Sequence, residues 1–221
     1  AHGITVYNAG GVYSAPMAEF VLGGILQLYK ESKFFAENQA AHRWEKHRGL
    51  RELSGKTACI IGTGSVGSAI TRRLRAFDVQ TVGVNRSGHP AAEFDQTQPT
   101  CRLDDLLPLA DLVICAMPLT VETAGLFDSV RLAKIKPGAV FVNVARGKVA
   151  DQQSLAEALQ SGQLSGAVLD VFEEEPLPRS SPLWEMEQVI LTPHNSFVGE
   201  HNGERLFKCI KEHLYELSKE C

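Results

Sequence analysis

The sequence predicts an α/β fold, a doubly wound parallel sheet of about seven strands, and three observations lead there. Short β-rich apolar runs recur along the chain, helical stretches separate most of them, and several runs are continuously apolar rather than alternating. A strand that is apolar on both faces needs helices on both faces, which is how parallel sheets are built.

The elements follow in order. Ile4 to Tyr7 is the first run with strand character. From Ser14 to about Lys33 the spacing predicts a long helix, with Ser14 as its cap and Pro16 tolerated in its first turn. Phe20, Val21, Leu22, Ile25, Leu26, Leu28 and Tyr29 leave that helix little polar face, and Gly23 with Gly24 would admit a close neighbour. Two readings are open: a helix buried in its own core, or one buried in part by a second copy of the chain, because a single sheet covers only one of its faces. His42 to Arg51 mixes Arg43, Lys46, Arg48 and Arg51 with Glu45 and reads as a solvated connector. Further strands are expected at Thr57 to Ile61, Val79 to Val84, Leu112 to Cys115, Val140 to Val144, Ala167 to Leu169 and Val189 to Leu191. Helices are expected at Ser65 to Ala76, Leu103 to Leu109, Asp128 to Lys134, Asp151 to Ser161 and about Glu204 to Leu217. Pro176, Pro178 and Pro182 mark a surface loop before the last strand.

Composition narrows the function classes. With 22 basic against 26 acidic residues the 221-residue chain carries a net charge of −4, which speaks against nucleic acid and acidic membrane surfaces as partners. Its five cysteines, Cys59, Cys101, Cys115, Cys209 and Cys221, are odd in number and form no CxxC pair, so reduced thiols and a cytoplasmic setting are expected. No apolar run reaches the ~18 residues of a membrane span. The seven histidines and five cysteines show no ligand spacing, and no metal is expected.

The strongest local signal is KTACIIGTGSVGSAITRRLRAF, where Gly62, Gly64 and Gly67 follow a buried strand and open a helix. This GxGxxG lies inside a βαβ unit, the Rossmann-like context in which it cradles a dinucleotide. The first glycine makes the turn, the second lets backbone reach a pyrophosphate, and the third allows close helix packing. An NAD site carries an acid about 20 residues further on, at the end of the second strand, to accept from the ribose 2′-OH. Here that strand ends Val84, Asn85, Arg86, Ser87, with no acid; Arg86 offers a guanidinium fork and Ser87 a hydroxyl to a 2′-phosphate. NADP is favoured on that ground. The other reading, a solvent-facing Arg86 in a site that takes NAD as well, stays open.

Three further groups sit at expected strand ends: Arg146 in VNVARGK, Asp170 and Glu175 in LDVFEEEP, and His194 in LTPHNS. A cation to hold a carboxylate, a histidine to move a proton and a carboxylate to orient that histidine are what hydride transfer to a 2-oxo acid requires. With these motifs in view, the sequence resembles the cofactor domain of the D-isomer-specific 2-hydroxyacid dehydrogenases, of glyoxylate, hydroxypyruvate and phosphoglycerate dehydrogenase type. The resemblance rests on AEF at Ala18 to Phe20, GTGSVG, CAMPLTVETAGL from Cys115, KPGAVFVNVARGKVAD from Lys136, GAVLDVFEEEPLP from Gly166 and TPH from Thr192.

The resemblance implies roles. Arg146 would bind the substrate carboxylate and carbonyl, His194 would be the general acid in reduction, and Glu175 would pair with it. Asp170 would lie beside the nicotinamide, while Ser65, Val66, Pro118, Thr123 and Ala145 would line the nucleotide. It also implies a cofactor domain over residues 1–195, with residues 196–221 forming a helix that returns to a substrate domain most of which is missing from this chain. The expected activity is NADP(H)-dependent interconversion of a small 2-oxo acid and a D-2-hydroxy acid in a homodimer. The alternative is a nucleotide-sensing module without turnover, of the corepressor kind. Asn195 and Ser196, where many members have small residues, put substrate size and the position of His194 in question.

Overall fold

The computed structural model describes residues 6–219. Its centre is a seven-stranded sheet formed by β1 (Thr57–Ile61), β2 (Gln80–Asn85), β3 (Gln96–Pro99), β4 (Leu112–Cys115), β5 (Ala139–Asn143), β6 (Leu164–Leu169) and β7 (Val189–Leu191). The strands lie in the order β3-β2-β1-β4-β5-β6-β7, every pair parallel. The order reverses between β1 and β4, so the carboxyl ends of the strands open into a crevice there, which is where such sheets take their ligands.

Both faces of the central strands are apolar, as expected. Cys59, Ile61, Val113, Cys115 and Phe141 belong to one buried cluster, covered by Leu103, Leu132, Leu155 and Leu159 of α4 (Leu103–Leu106), α5 (Ser129–Lys134) and α6 (Gln152–Gln160). The alternate residues Ala58, Ile60, Leu112, Ile114, Val140 and Val142 belong to the other, covered by α1 (Ser14–Tyr29) and α3 (Ser65–Arg75). Burying a Leu or Phe fully contributes about 1.5–3 kcal/mol, so these two layers supply most of the drive to fold.

Four expectations need correction or division. The run Ile4 to Tyr7 falls partly outside the described residues, and Val6 and Tyr7 carry no strand. The seventh strand is instead β3, QTQP, a polar edge strand that pairs only with β2 and ends on a proline, so neither apolar content nor alternation announced it. The long first helix stops at Tyr29; Glu31 turns into the left-handed region at φ 50° and α2 (Ser32–Ala40) sets off from there. The proline loop runs over the surface but anchors Leu177 and Leu183 in the core.

α1 packs beside α3 on the same face of the sheet, tied to it by Arg73 donating to Glu19 at 2.8 Å. Gly24 is where it meets β6: a Cβ there would stand 2.6 Å from Val168 Cγ1, so only glycine permits this approach. Val21, Ile25 and Tyr29 are buried within the chain, while Phe20, Leu22, Leu26 and Leu28 are partly covered. The connector 42–51 has no helix or strand and leaves Trp44 97% exposed. α7 (Asn202–Leu217) buries none of its residues and shows Phe207, Ile210 and Leu214 to the outside. Among the described residues no helix is long and apolar enough to cross a membrane.

Candidate active site

The glycine turn sits at the mouth of the crevice, where β1 passes into α3. Gly62 takes φ 109°, and a Cβ on it would meet Ala116 O at 2.5 Å. At Gly67 the imagined Cβ falls 1.9 Å from Gly62 O, so the helix can start this close to the strand only without a side chain. Gly64 is different: nothing lies within 4 Å of its Cβ position, and no side chain caps the helix it begins. The first-turn N–H groups, next to Ser65 and Val66, therefore face open space with the positive end of the helix dipole behind them, a site fitted to a pyrophosphate. Gly67→Ala is expected to destabilise the chain by more than 3 kcal/mol, roughly the range of strong overpacking, because the clash is with backbone. A urea midpoint within error of wild type would refute this packing argument.

Around the turn stand the ends of β2 and β4. Asn85 is committed locally: its Nδ2 donates to Thr63 Oγ1 at 3.1 Å and His89 O at 2.9 Å, and its Oδ1 accepts from His89 N at 3.1 Å. These bonds tie the end of β2 both to the glycine turn, through Thr63, and to the 86–89 loop, through His89. Arg86 and Ser87 are exposed on that loop. Thr123 likewise serves its own loop, donating to Pro118 O at 2.8 Å and accepting from Thr120 N at 2.7 Å, with Pro118 exposed beside it.

On the other side of the crevice the ends of β5, β6 and β7 bring Arg146, Glu175 and His194 together. Asn143 holds the first of these turns, accepting from Ala145 N at 3.0 Å and donating to Arg146 O at 3.0 Å. Ala145 is buried, and Arg146 is exposed with Nη1 donating to Ala145 O at 2.6 Å. His194 Nδ1 lies 2.8 Å from Glu175 Oε2, and Glu175 Oε1 accepts from Phe172 N at 3.0 Å. Burial by itself raises the Glu175 carboxyl, but the bonds from His194 and Phe172 and the charges of His194 and Arg146 outweigh it and hold the group below the ordinary carboxylate value. Glu175 thus stays ionised at neutral pH. An ionised carboxylate at Nδ1 keeps the proton on that nitrogen and leaves Nε2 for the reacting group. Phe172, Pro176, Leu177, Trp184 and Leu191 line an apolar cavity of about 490 Å³ next to this pair.

Asp170 does not look into the crevice. It is 0% exposed, and its carboxylate accepts from Thr192 Oγ1 at 2.6 Å, Asn195 N at 2.7 Å and Ser196 N at 2.9 Å. His194 N donates to Asp170 O at 2.8 Å, with His194 itself in the left-handed region at φ 53°. Asp170 is therefore the residue that fixes the His194 loop; its carboxylate, expected beside the nicotinamide, is buried behind that loop's own hydrogen bonds. Sequence reasoning missed Phe197, whose ring meets His194 edge-on at 6.2 Å, and Asn143, legible only as a polar residue ending an apolar strand.

The parallel sheet, its order and the glycine turn at its switch point define the class, a dinucleotide-binding domain. Residues 22–196 match the family model described as D-isomer specific 2-hydroxyacid dehydrogenase, NAD binding domain, and the chain belongs to that family. It is 33% identical over 221 residues to the glyoxylate/hydroxypyruvate reductase B of Citrobacter koseri, covering 98% of this chain and 68% of that protein. It is 37% identical over 197 residues to the D-3-phosphoglycerate dehydrogenase of Mycobacterium leprae, covering 88% of this chain and 37% of that one. Among solved structures it superposes with TM-score 0.82 and 28% identity on an NADPH-dependent glyoxylate/hydroxypyruvate reductase from Sinorhizobium meliloti in complex with NADP and sulfate, covering 94% of this chain and 66% of that one. The chain spans about a third to two thirds of the length of the curated relatives it matches.

Proposed function

We propose that these residues form the cofactor half of an NADP(H)-dependent reductase of small 2-oxo acids of the glyoxylate or hydroxypyruvate kind. The observation that carries the reading is the His194–Glu175 pair at 2.8 Å, with Arg146 close enough to Glu175 to help hold it ionised. The nicotinamide, when bound, supplies the hydride. Arg146 holds the substrate carboxylate, His194 gives the proton from Nε2 to the carbonyl oxygen, and Glu175 stabilises the imidazolium before that transfer and orients the ring throughout. Ser65 and Val66 hold the pyrophosphate through backbone N–H groups, and Arg86 with Ser87 takes the 2′-phosphate.

The NADP preference draws support from the absence of an acid at the end of β2 and from the S. meliloti relative, whose name is NADPH-dependent. Calorimetric titration of the 221-residue chain with NADPH and NADH at matched ionic strength is expected to favour NADPH, with Arg86→Ala losing roughly tenfold in NADPH affinity. Tighter binding of NADH by the wild type would end the NADP reading and leave the family untouched.

The same reading includes a cytoplasmic homodimer and a substrate domain contacted by α7. The half-covered apolar residues of α1, the 97% exposed Trp44 and the 37% exposed Phe35 of α2 support a contact between copies. The outward Phe207, Ile210 and Leu214 of α7 support a docking partner for that helix. Sedimentation is expected to give a dimer at micromolar concentration; a monomer at high concentration would remove the dimer from the account.

A further inference from the structure

We infer that Glu122, in the loop after β4, sets the nucleotide preference by competing with a 2′-phosphate for Arg86, an inference that deepens the NADP(H) reading and rests on it. Arg86 Nη2 lies 3.0 Å from Glu122 Oε2, joining the ends of β2 and β4 across the mouth of the crevice. These are the two strands flanking β1, so the pair spans the flank of the glycine turn. Thr120 Oγ1 donates to the same Oε2 at 3.0 Å and fixes the carboxylate on the Arg86 side. The Thr120 bond first, and then the Arg86 charge, hold the Glu122 carboxyl below the ordinary value, so it is ionised at neutral pH.

The β2 end lacks the acid that would accept from a ribose 2′-OH, but the β4 loop brings one to within a hydrogen bond of Arg86. A 2′-phosphate entering here meets a guanidinium already paired and a carboxylate that repels it, so it must open the pair to gain Arg86. A 2′-hydroxyl meets an ionised acceptor and leaves the pair intact. Both side chains are largely exposed, 82% for Arg86 and 67% for Glu122, and exposed pairs of this kind are weak enough to be opened by a ligand. Glu122 thus moderates NADPH binding and supports NADH binding, and a site with both groups discriminates less than Arg86 alone would.

The test is a set of titrations of the 221-residue chain with NADPH and NADH, in wild type, Glu122→Gln and Arg86→Ala. Glu122→Gln is expected to tighten NADPH about three- to fivefold, the upper part of the range an exposed pair allows, and to leave NADH unchanged or weaker. Arg86→Ala should weaken NADPH and not NADH, since Glu122 then stands unopposed. An NADPH to NADH ratio that Glu122→Gln leaves within twofold, or moves towards NADH, overturns the role of Glu122 even if the wild type prefers NADPH. A wild type that prefers NADH, with the ratio still moved towards NADPH by Glu122→Gln, keeps the competition and removes only the NADP reading. Failure of both nucleotides to bind wild type and variant alike overturns both. The position is exposed, so circular dichroism matching wild type serves as the folding control.

Discussion

His194→Asn is expected to lower kcat for 2-oxo acid reduction by about 10²–10⁴-fold, the usual contribution of a positioned general acid, while NADPH binding stays as in wild type. Asparagine is the substitution to use. His194 sits at φ 53°, in the left-handed region where Asn is tolerated better than Ala, and its N–H bonds to Asp170 O and Thr192 O can persist. The loss then reports the imidazole and not the loop. Glu175→Gln should act through the same pair with a smaller loss, since an amide at 2.8 Å from Nδ1 can hold the ring but cannot stabilise an imidazolium. Unchanged turnover in His194→Asn would remove the proton-transfer assignment.

The second large effect is expected at Asp170. Its carboxylate is sealed from solvent and accepts from one hydroxyl and two backbone N–H groups. Asp170→Asn substitutes a donating NH2 for one of those oxygens, so at least one backbone N–H is left facing a donor in a buried place. A cost of about 3 kcal/mol is expected, read as a lower urea midpoint, since buried unmet donors cost roughly 1–3 kcal/mol and more where a charge was lost. As the same bonds fix the loop that carries His194, kcat should fall at temperatures where the variant is fully folded, with KM for nucleotide little changed. A variant as stable as wild type would mean that Asp170 is not the anchor of that loop.

Much of this was legible in the sequence, for physical reasons that can be named. Continuous apolar runs identify β1, β4 and β5 because both faces of those strands must be covered, and Gly62 and Gly67 read plainly because backbone crowding admits nothing else. The Glu175 to His194 pairing was expected and the geometry brings the two together. Other features escaped because their signals are non-local. β3 is polar and gains its strand character from the edge of β2. The break between α1 and α2 hangs on a glutamate in a left-handed conformation, which no composition rule marks. Asp170 was expected at the nucleotide from the family resemblance and Asn85 from its strand end, but their local bonding, Asp170 to the His194 loop and Asn85 to Thr63 and His89, depends on residues distant or unmarked in the sequence. Glu122 lies 36 residues from Arg86, and only the sheet order makes them neighbours.

The central claim is that the His194–Glu175 pair serves reduction of a small 2-oxo acid at the expense of NADPH. Its most direct test is the loss of NADPH absorbance when glyoxylate or hydroxypyruvate is added to the complete protein, with His194→Asn alongside. Steady consumption is expected, one NADPH per 2-hydroxy acid formed, nearly abolished in the variant. NADPH that binds and is never consumed with either acid would contradict it, and would point to a domain that senses its nucleotide without using it.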